Sequence, residues 1–204
     1  MTTSTTSERP GADPGGRGRR RADAERSIAA IIEAGLRCFV ARPDVSMSDI
    51  AREAGISRVT LYAHFPSREA LLDAVLEQAV TEANAALDAD DRTDLPAREA
   101  LVRLLHSSWR ILDRHGSLRS AVAQGLPETR VRERHERVLD RVRALIVRGQ
   151  REGAFRTDLP RDWLVTVMYS LLHATADEVL AGRLDPGEAP DVLESTVLSA
   201  FRPD

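Results

Sequence analysis

Lysine is absent from this chain, and all 29 of its basic side chains are arginine. A GC-rich coding bias accounts for the absence, yet it has a physical consequence. Any side-chain cation that meets a phosphate must do so through a planar guanidinium. There is one cysteine, Cys38, which excludes an internal disulfide, fits a reducing compartment and reads as a small core hydrophobe. No apolar run is long enough for a membrane-spanning helix, and the N-terminus lacks the apolar core of a secretory signal. A cytoplasmic protein without a membrane span is expected. The chain holds no G-x-G-x-x-G, no phosphate loop, no H-E-x-x-H and no G-x-S-x-G, so the common nucleotide, zinc-protease and hydrolase chemistries lack their residues. No close His/Cys cluster occurs, so neither metal nor cofactor is expected. Isolated His and Asp residues do not make an enzyme.

What is present points elsewhere. The 204 residues are 42% hydrophobic, enough for one sizeable core or two small domains. A net charge of −3 is wrong for a non-specific polycation. Residues 1–65 carry ten Arg against eight acids, a net +2, while residues 66–204 carry nineteen against twenty-four, a net −5. The N-terminal end is therefore the end an anionic partner would approach.

Residues 46–65, SMSDIAREAGISRVTLYAHF, have the layout of a helix-turn-helix. Ser46 is an N-cap, and Asp49 three residues on can complete a capping box. Ile50, Ala51 and Ala54 share one face, and Gly55 stops the helix as a residue tolerant of positive φ. Ile56 plugs the turn. Ser57 is a second N-cap, opening a short helix whose Leu61 and Phe65 point inward at i, i+4. That leaves Arg58, Val59, Thr60, Tyr62 and His64 outward, on a helix too short to fold alone. Such a face suits insertion into a DNA groove.

Around this segment the periodicity is helical throughout, and no strand, repeat or heptad run is evident. Residues 1–22 are Thr/Ser-, Pro/Gly- and then Arg-rich. They read as a disordered basic arm, which either reaches DNA through Arg17, Arg19, Arg20 and Arg21 or merely aids solubility. A first helix is expected from about Asp23 to Ala41, bracing the motif. A fourth, after Pro66, joins two domains and ends near Leu87. A stripe from Leu101 to Leu112, a short helix between Gly116 and Pro127, and a long Arg-rich helix over about 128–152 follow. Gly153 is expected as a C-cap, with Asp158 as an N-cap and Pro160 in the first turn of a helix over about 161–181. A last helix covers about 188–201. The domain boundaries expected are 1–22, 23–67 and 68–204.

Ile50 with Ala-Gly-Ile-Ser, Thr-Leu-Tyr, His-Phe and Ser-Arg-Glu-Ala-Leu-Leu resembles the DNA-binding domain of the tetracycline-repressor (TetR) family over about residues 24–76. Arg68 stands where that family usually has Lys, and Val59 where Gly or Ala is common. The resemblance implies an all-α protein. It would have an N-terminal three-helix helix-turn-helix domain, a C-terminal helical ligand-binding and dimerisation domain, and repressor activity. It also implies backbone contacts from positions matching Ser57, Thr60, Tyr62, His64 and Arg68.

From the residues themselves, Tyr62 and His64 can donate to phosphate oxygens, and Arg68 can pair with one. Ser46 and Ser48 open a helix whose N-terminal amides favour an anion. Arg58, Val59 and Thr60 are the candidates for base edges. Arg58 suits guanine O6 and N7, unless it is a solvated charge that only finds phosphate, and Val59 suits a thymine methyl. Tyr62 alternatively closes the core.

One reading helix is too little for specificity, so a homodimer on a pseudo-palindromic duplex is expected. The last two helices offer its interface, through Leu164, Val167, Met168, Leu171, Leu172 and Val179, then Val192, Leu193, Thr196, Val197, Ala200 and Phe201. The resemblance also implies a pocket for an unknown small-molecule effector. His106 and Trp109 share one helical face, and Tyr169, His173 and Asp177 another. These five are its candidate lining, against the plainer reading of core tryptophan and hydrogen-bonded core histidine. The rival reading is a DNA-binding regulator or architectural protein without a small-molecule ligand.

Overall fold

The computed structural model describes the backbone of residues 14–90 and 94–203, with side chains from residue 24 onward. Among the described residues there are helices and no strands. They run α1 (Pro14–Ala41), α2 (Met47–Glu53), α3 (Arg58–His64), α4 (Arg68–Ala89), α5 (Ala97–Arg114), α6 (Gly116–Gly125), α7 (Glu128–Arg134), α8 (Glu136–Arg151), α9 (Arg161–Leu180) and α10 (Ala189–Ala200). None is long and apolar enough to cross a membrane.

Three boundaries differ from expectation. α1 begins at Pro14 rather than near Asp23. The run it gains, PGGRGRRRA, sets four arginines that favour helix against three glycines that do not, and proline is tolerated in a first turn. The expected disordered arm over 1–22 is therefore wrong for the backbone from Pro14 onward, and residues 1–13 lie outside the described residues. The expected long helix over 128–152 is broken at His135, whose backbone N–H is shared between the carbonyls of Arg132 (3.0 Å) and Val131 (3.3 Å). The tightened turn swings α7 onto α4, while α8 packs on α5 and α9. At α9 the cap position is Pro160, with no side-chain cap. Asp158 is instead held by both guanidinium arms of Arg156, at 2.7 and 2.6 Å.

Two apolar cores result. The first takes Ile31 and Phe39 from α1, Ile50 and Leu61 from α2 and α3, and Leu71 through Val80 from α4. It also recruits Leu118, Ala121 and Val122 of α6. The core thus runs past the expected boundary at residues 67/68. Close approach of α6 depends on Gly125, where a Cβ would lie 2.7 Å from a Leu72 methyl. The second core joins α5, α8, α9 and α10 through Leu101, Leu105, Ile146, Leu164, Leu193 and Phe201. α4 passes from one core to the other, with Leu87 in the second.

Candidate nucleic-acid interface and cavity

The α2–α3 unit is held by short-range bonds. Ser46 Oγ accepts from the Asp49 amide at 3.2 Å, and its hydroxyl donates to the Asp49 carboxylate at 2.7 Å. That bond, then one from Arg52, holds the Asp49 carboxyl below the usual range. At the far end Gly55 adopts φ +67°. Its N–H meets the Arg52 carbonyl at 3.1 Å, and Ile56 N–H meets that of Ala51 at 3.0 Å. This two-bond closure needs a left-handed residue at position 55. Ser57 Oγ accepts from the Thr60 amide at 3.1 Å and lies 2.9 Å from the Thr60 hydroxyl. Leu61 and Phe65 are buried as expected. Burial of the Leu61 side chain is worth about 1.5–3 kcal/mol, which seats a helix too short to stand alone.

With that face committed, the other face is bare. Val59 is 80% exposed and Tyr62 41%. Arg58 is exposed and, among the described residues, has no acidic partner. Ser46 and Ser57 are exposed, while Ser48, Thr60 and His64 are half-buried. Arg68 stands apart from these eight. Its guanidinium donates to the Pro43 carbonyl at 2.5 Å and sits 5.0 Å from the centre of the Phe39 ring. It braces the α1–α2 loop. Arg37 ties α1 to α2 through Glu53 at 3.1 Å. Cys38 nearby is half-buried, and burial pushes its thiol pKa up.

A cavity of about 310 Å³ opens between α4 and the helices α5 to α9. Leu76, Val80, Ile111, Leu118, Val122 and Val131 give it apolar walls. Its polar lining is His115, Arg119, Glu128, His135 and His173. Of the five residues expected there, only His173 lines it. Tyr169 stacks against His173, with ring centres 4.1 Å apart, and meets His135 edge-on at 5.8 Å. Asp177 pairs with Arg119. Trp109 is buried in the second core. His106 bonds Glu194 at 2.8 Å across α5 and α10. The latter two miss the cavity because α5 meets it with the face carrying Ile111, Leu112 and His115. Sequence reasoning missed His115, Arg119, Glu128 and His135. An unbroken helix over 128–152 hid the turn that presents His135.

The three histidines share one geometry. Nδ1 of His115, His135 and His173 lies 2.8, 2.7 and 2.8 Å from the carbonyl four residues earlier, of Ile111, Val131 and Tyr169. Burial lowers the pKa of His135 and takes that of His173 down to about 4. Burial also raises that of Tyr169. Among the described residues no group of three His, Cys, Asp or Glu side chains is placed to hold a metal ion.

α7 is latched to α4 beside this cavity. Arg134 grips Asp73 with Nε at 3.1 Å and Nη2 at 2.6 Å, and reaches Glu77 at 3.0 Å. Arg130 adds a contact to Asp73 at 3.2 Å. The Arg134 bonds, above all, hold the Asp73 carboxyl below its usual range. A second cavity, of about 400 Å³, lies between α4, α5 and α8 with Arg103, Arg141 and Arg148 in its wall. Those arginines reach Asp90, Asp88 and Glu152 respectively.

Residues 31–75 match the bacterial regulatory proteins of the tetR family. The HTH-type transcriptional regulator EthR of Mycobacterium tuberculosis is 39% identical over 89 residues, covering 43% of this chain and 40% of EthR. The chain thus matches less than half the length of that relative. NfxB of Pseudomonas aeruginosa, also an HTH-type transcriptional regulator, is 26% identical over 189 residues, covering 85% of this chain and 91% of NfxB. A solved structure from Saccharomonospora viridis, described as a transcriptional regulator in complex with choline, superposes with a TM-score of 0.74. It is 26% identical and covers 87% of this chain and 98% of that one.

Proposed function

Because the chain belongs to the TetR family of bacterial regulatory proteins, a family of regulators and not of enzymes, we propose that it is a sequence-specific DNA-binding repressor. A small molecule in the α4–α9 cavity releases it from a pseudo-palindromic operator. The observation that carries this reading is the division of α3 into two faces. Leu61 is wholly buried, while Arg58, Val59 and Tyr62 are bare. Arg58 is free to meet guanine O6 and N7, a pairing worth roughly 1–3 kcal/mol of discrimination. Val59 offers a methyl surface to thymine. Ser46, Ser48, Ser57, Tyr62 and His64 supply backbone-positioning contacts. Arg68 supports them indirectly, by fixing the loop before α2.

Two reading helices require a dimer, and α9 with α10 is the surface for it. Trp163, Leu180 and Val192 are 54%, 51% and 45% exposed there. Leu164, Met168, Leu193, Val197 and Phe201, expected in that interface, are buried within the chain. They face α5 and α8 rather than outward. The S. viridis protein crystallised with choline supports a small molecule as the effector class. A ligand that favours one placement of α7 moves α4 through Asp73, and α4 carries the first core with its reading helix. Half-sites one helical turn apart, about 34–36 Å, tolerate little change in reading-head separation.

The test is selection of bound duplexes from a random pool at matched salt, with Arg58→Ala in parallel. The expected outcome is a pseudo-palindrome that Arg58→Ala relaxes at one base pair per half-site. Enrichment indifferent to α3 would sink the reading in favour of an architectural protein.

A further inference from the structure

We propose that the α4–α9 cavity selects a largely apolar molecule bearing N–H or O–H groups, which donate to the Nε2 atoms of His115, His135 and His173. The inference rests on that cavity being the effector site. It begins with the three carbonyl contacts at 2.7–2.8 Å. A carbonyl oxygen only accepts, so each Nδ1 must carry its ring's hydrogen. In a neutral ring that leaves Nε2 as a bare lone pair. All three rings line the cavity, and among the described residues their polar contacts run through Nδ1 alone. Three helices thus each fix a ring in the same tautomer at the edge of one chamber.

The remaining lining sharpens the choice. The walls are aliphatic, from Leu76 and Val80 to Ile111 and Val122. Among the described residues of the lining the one cation, Arg119, pairs with Asp177 through Nη2 and keeps a buried, unpartnered Nε, while the Glu128 carboxylate shares the wall. A carboxylate would bring its own lone pairs against those of the rings and its charge against that of Glu128. An apolar molecule with no donor would bury the imidazole acceptors unpaired, at a cost in binding. A molecule that donates satisfies both. At about 310 Å³ the chamber is at the small end of ligand pockets, which run from about 300 to 1,000 Å³. A fused two-ring body fits that scale.

Three probes with one such body separate the possibilities: 2-naphthol, 2-methoxynaphthalene and 2-naphthoate, titrated calorimetrically at pH 7 into the full chain. The expected order is 2-naphthol tightest, by about tenfold over 2-methoxynaphthalene, with 2-naphthoate weakest. His173→Phe keeps a ring in place without the acceptor. It should narrow the preference for 2-naphthol and leave 2-methoxynaphthalene binding unchanged, and the same change at His115 and His135 as well should abolish the preference. His135→Phe is the second variant should the first not fold, and circular dichroism monitors both. Equal binding of 2-naphthol and 2-methoxynaphthalene, or a preference that survives replacement of all three histidines by phenylalanine, would overturn the donor assignment while leaving the cavity a ligand site. Binding by none of the three would overturn the cavity as effector site and the donor assignment with it.

Discussion

The α2–α3 unit and the α4–α9 cavity are built in opposite ways. In the unit, the bonds that set the geometry span three to five residues: Ser46 to Asp49, Ser57 to Thr60, Ile56 to Ala51. In the cavity region, Arg119 and Asp177 are 58 residues apart, and Arg134 and Asp73 are 61. A reading head made of local bonds holds one shape. The chamber draws its walls from six helices, α4 to α9, with His135 at the turn between α7 and α8. Under the proposed function, a head fixed by local bonds would keep its shape while a ligand rearranged the helices around the cavity.

The largest effect that would break the contrast is in the head. Leu61→Ala removes a side chain with no exposure, so a loss of about 2–5 kcal/mol is expected in denaturant unfolding. Tyr62→Ala, one residue on and 41% exposed, should leave stability within about 0.5 kcal/mol while weakening DNA binding. Equal destabilisation by the two would refute the two-faced reading of α3.

In the cavity the comparable lever is pH. The folded pKa of His173 is about 4, against about 6.5 unfolded. Depression of a histidine means that the unfolded chain takes up the proton first. Stability is therefore full above about pH 6.5 and declines as pH falls toward 4. His173 accounts for roughly 3 kcal/mol of that decline. Urea unfolding at pH 7 and pH 4.5, with His173→Phe as control, measures it. The variant should lose less over the interval, and identical slopes would remove His173 from the account.

The same contrast governs what was legible in the sequence. Ser46, Gly55, Ser57, Leu61 and Phe65 act within one turn of themselves, and the structure places each where its local chemistry predicts. Arg68 was legible as a cation but not as a brace, because Pro43 and Phe39 reach it only once α1 is docked. The cavity was scarcely legible. Trp109 and His106 lie on an apolar-periodic helix, and periodicity does not say which neighbour covers which face. His135 carried no signal, since a tightened turn inside an Arg-rich run leaves the helical pattern intact.

A smaller effect sharpens the claim that local bonds fix the head. Ser57→Ala removes the cap on α3 and should cost about 1 kcal/mol. Hydrogen exchange should localise that loss to α3, with the cavity helices unaffected. Exchange that rises throughout the chain would mean that the head is not the self-contained unit its bonding implies.

A smaller effect on stability than that of Ser57→Ala is expected at the join between the two regions. Asp73→Asn keeps the size of the side chain but discharges the carboxylate that Arg130 and Arg134 share. Arg134 retains Glu77 at 3.0 Å, so the loss should be under about 1 kcal/mol. Its consequence for coupling is larger. α7 supplies Val131 to the cavity wall, with His135 at its junction to α8, and the Asp73 latch binds α7 to the part of α4 that lies in the first core. In the native chain, 2-naphthol in the cavity should alter hydrogen exchange both in α7 and in the first turns of α4. In Asp73→Asn the α7 change should persist and the α4 change should vanish. Persistence of both would route the coupling through direct contact of the ligand with Leu76 and Val80 instead. Under the latch, a chain with nearly native stability and an intact cavity would bind its ligand and stay on DNA.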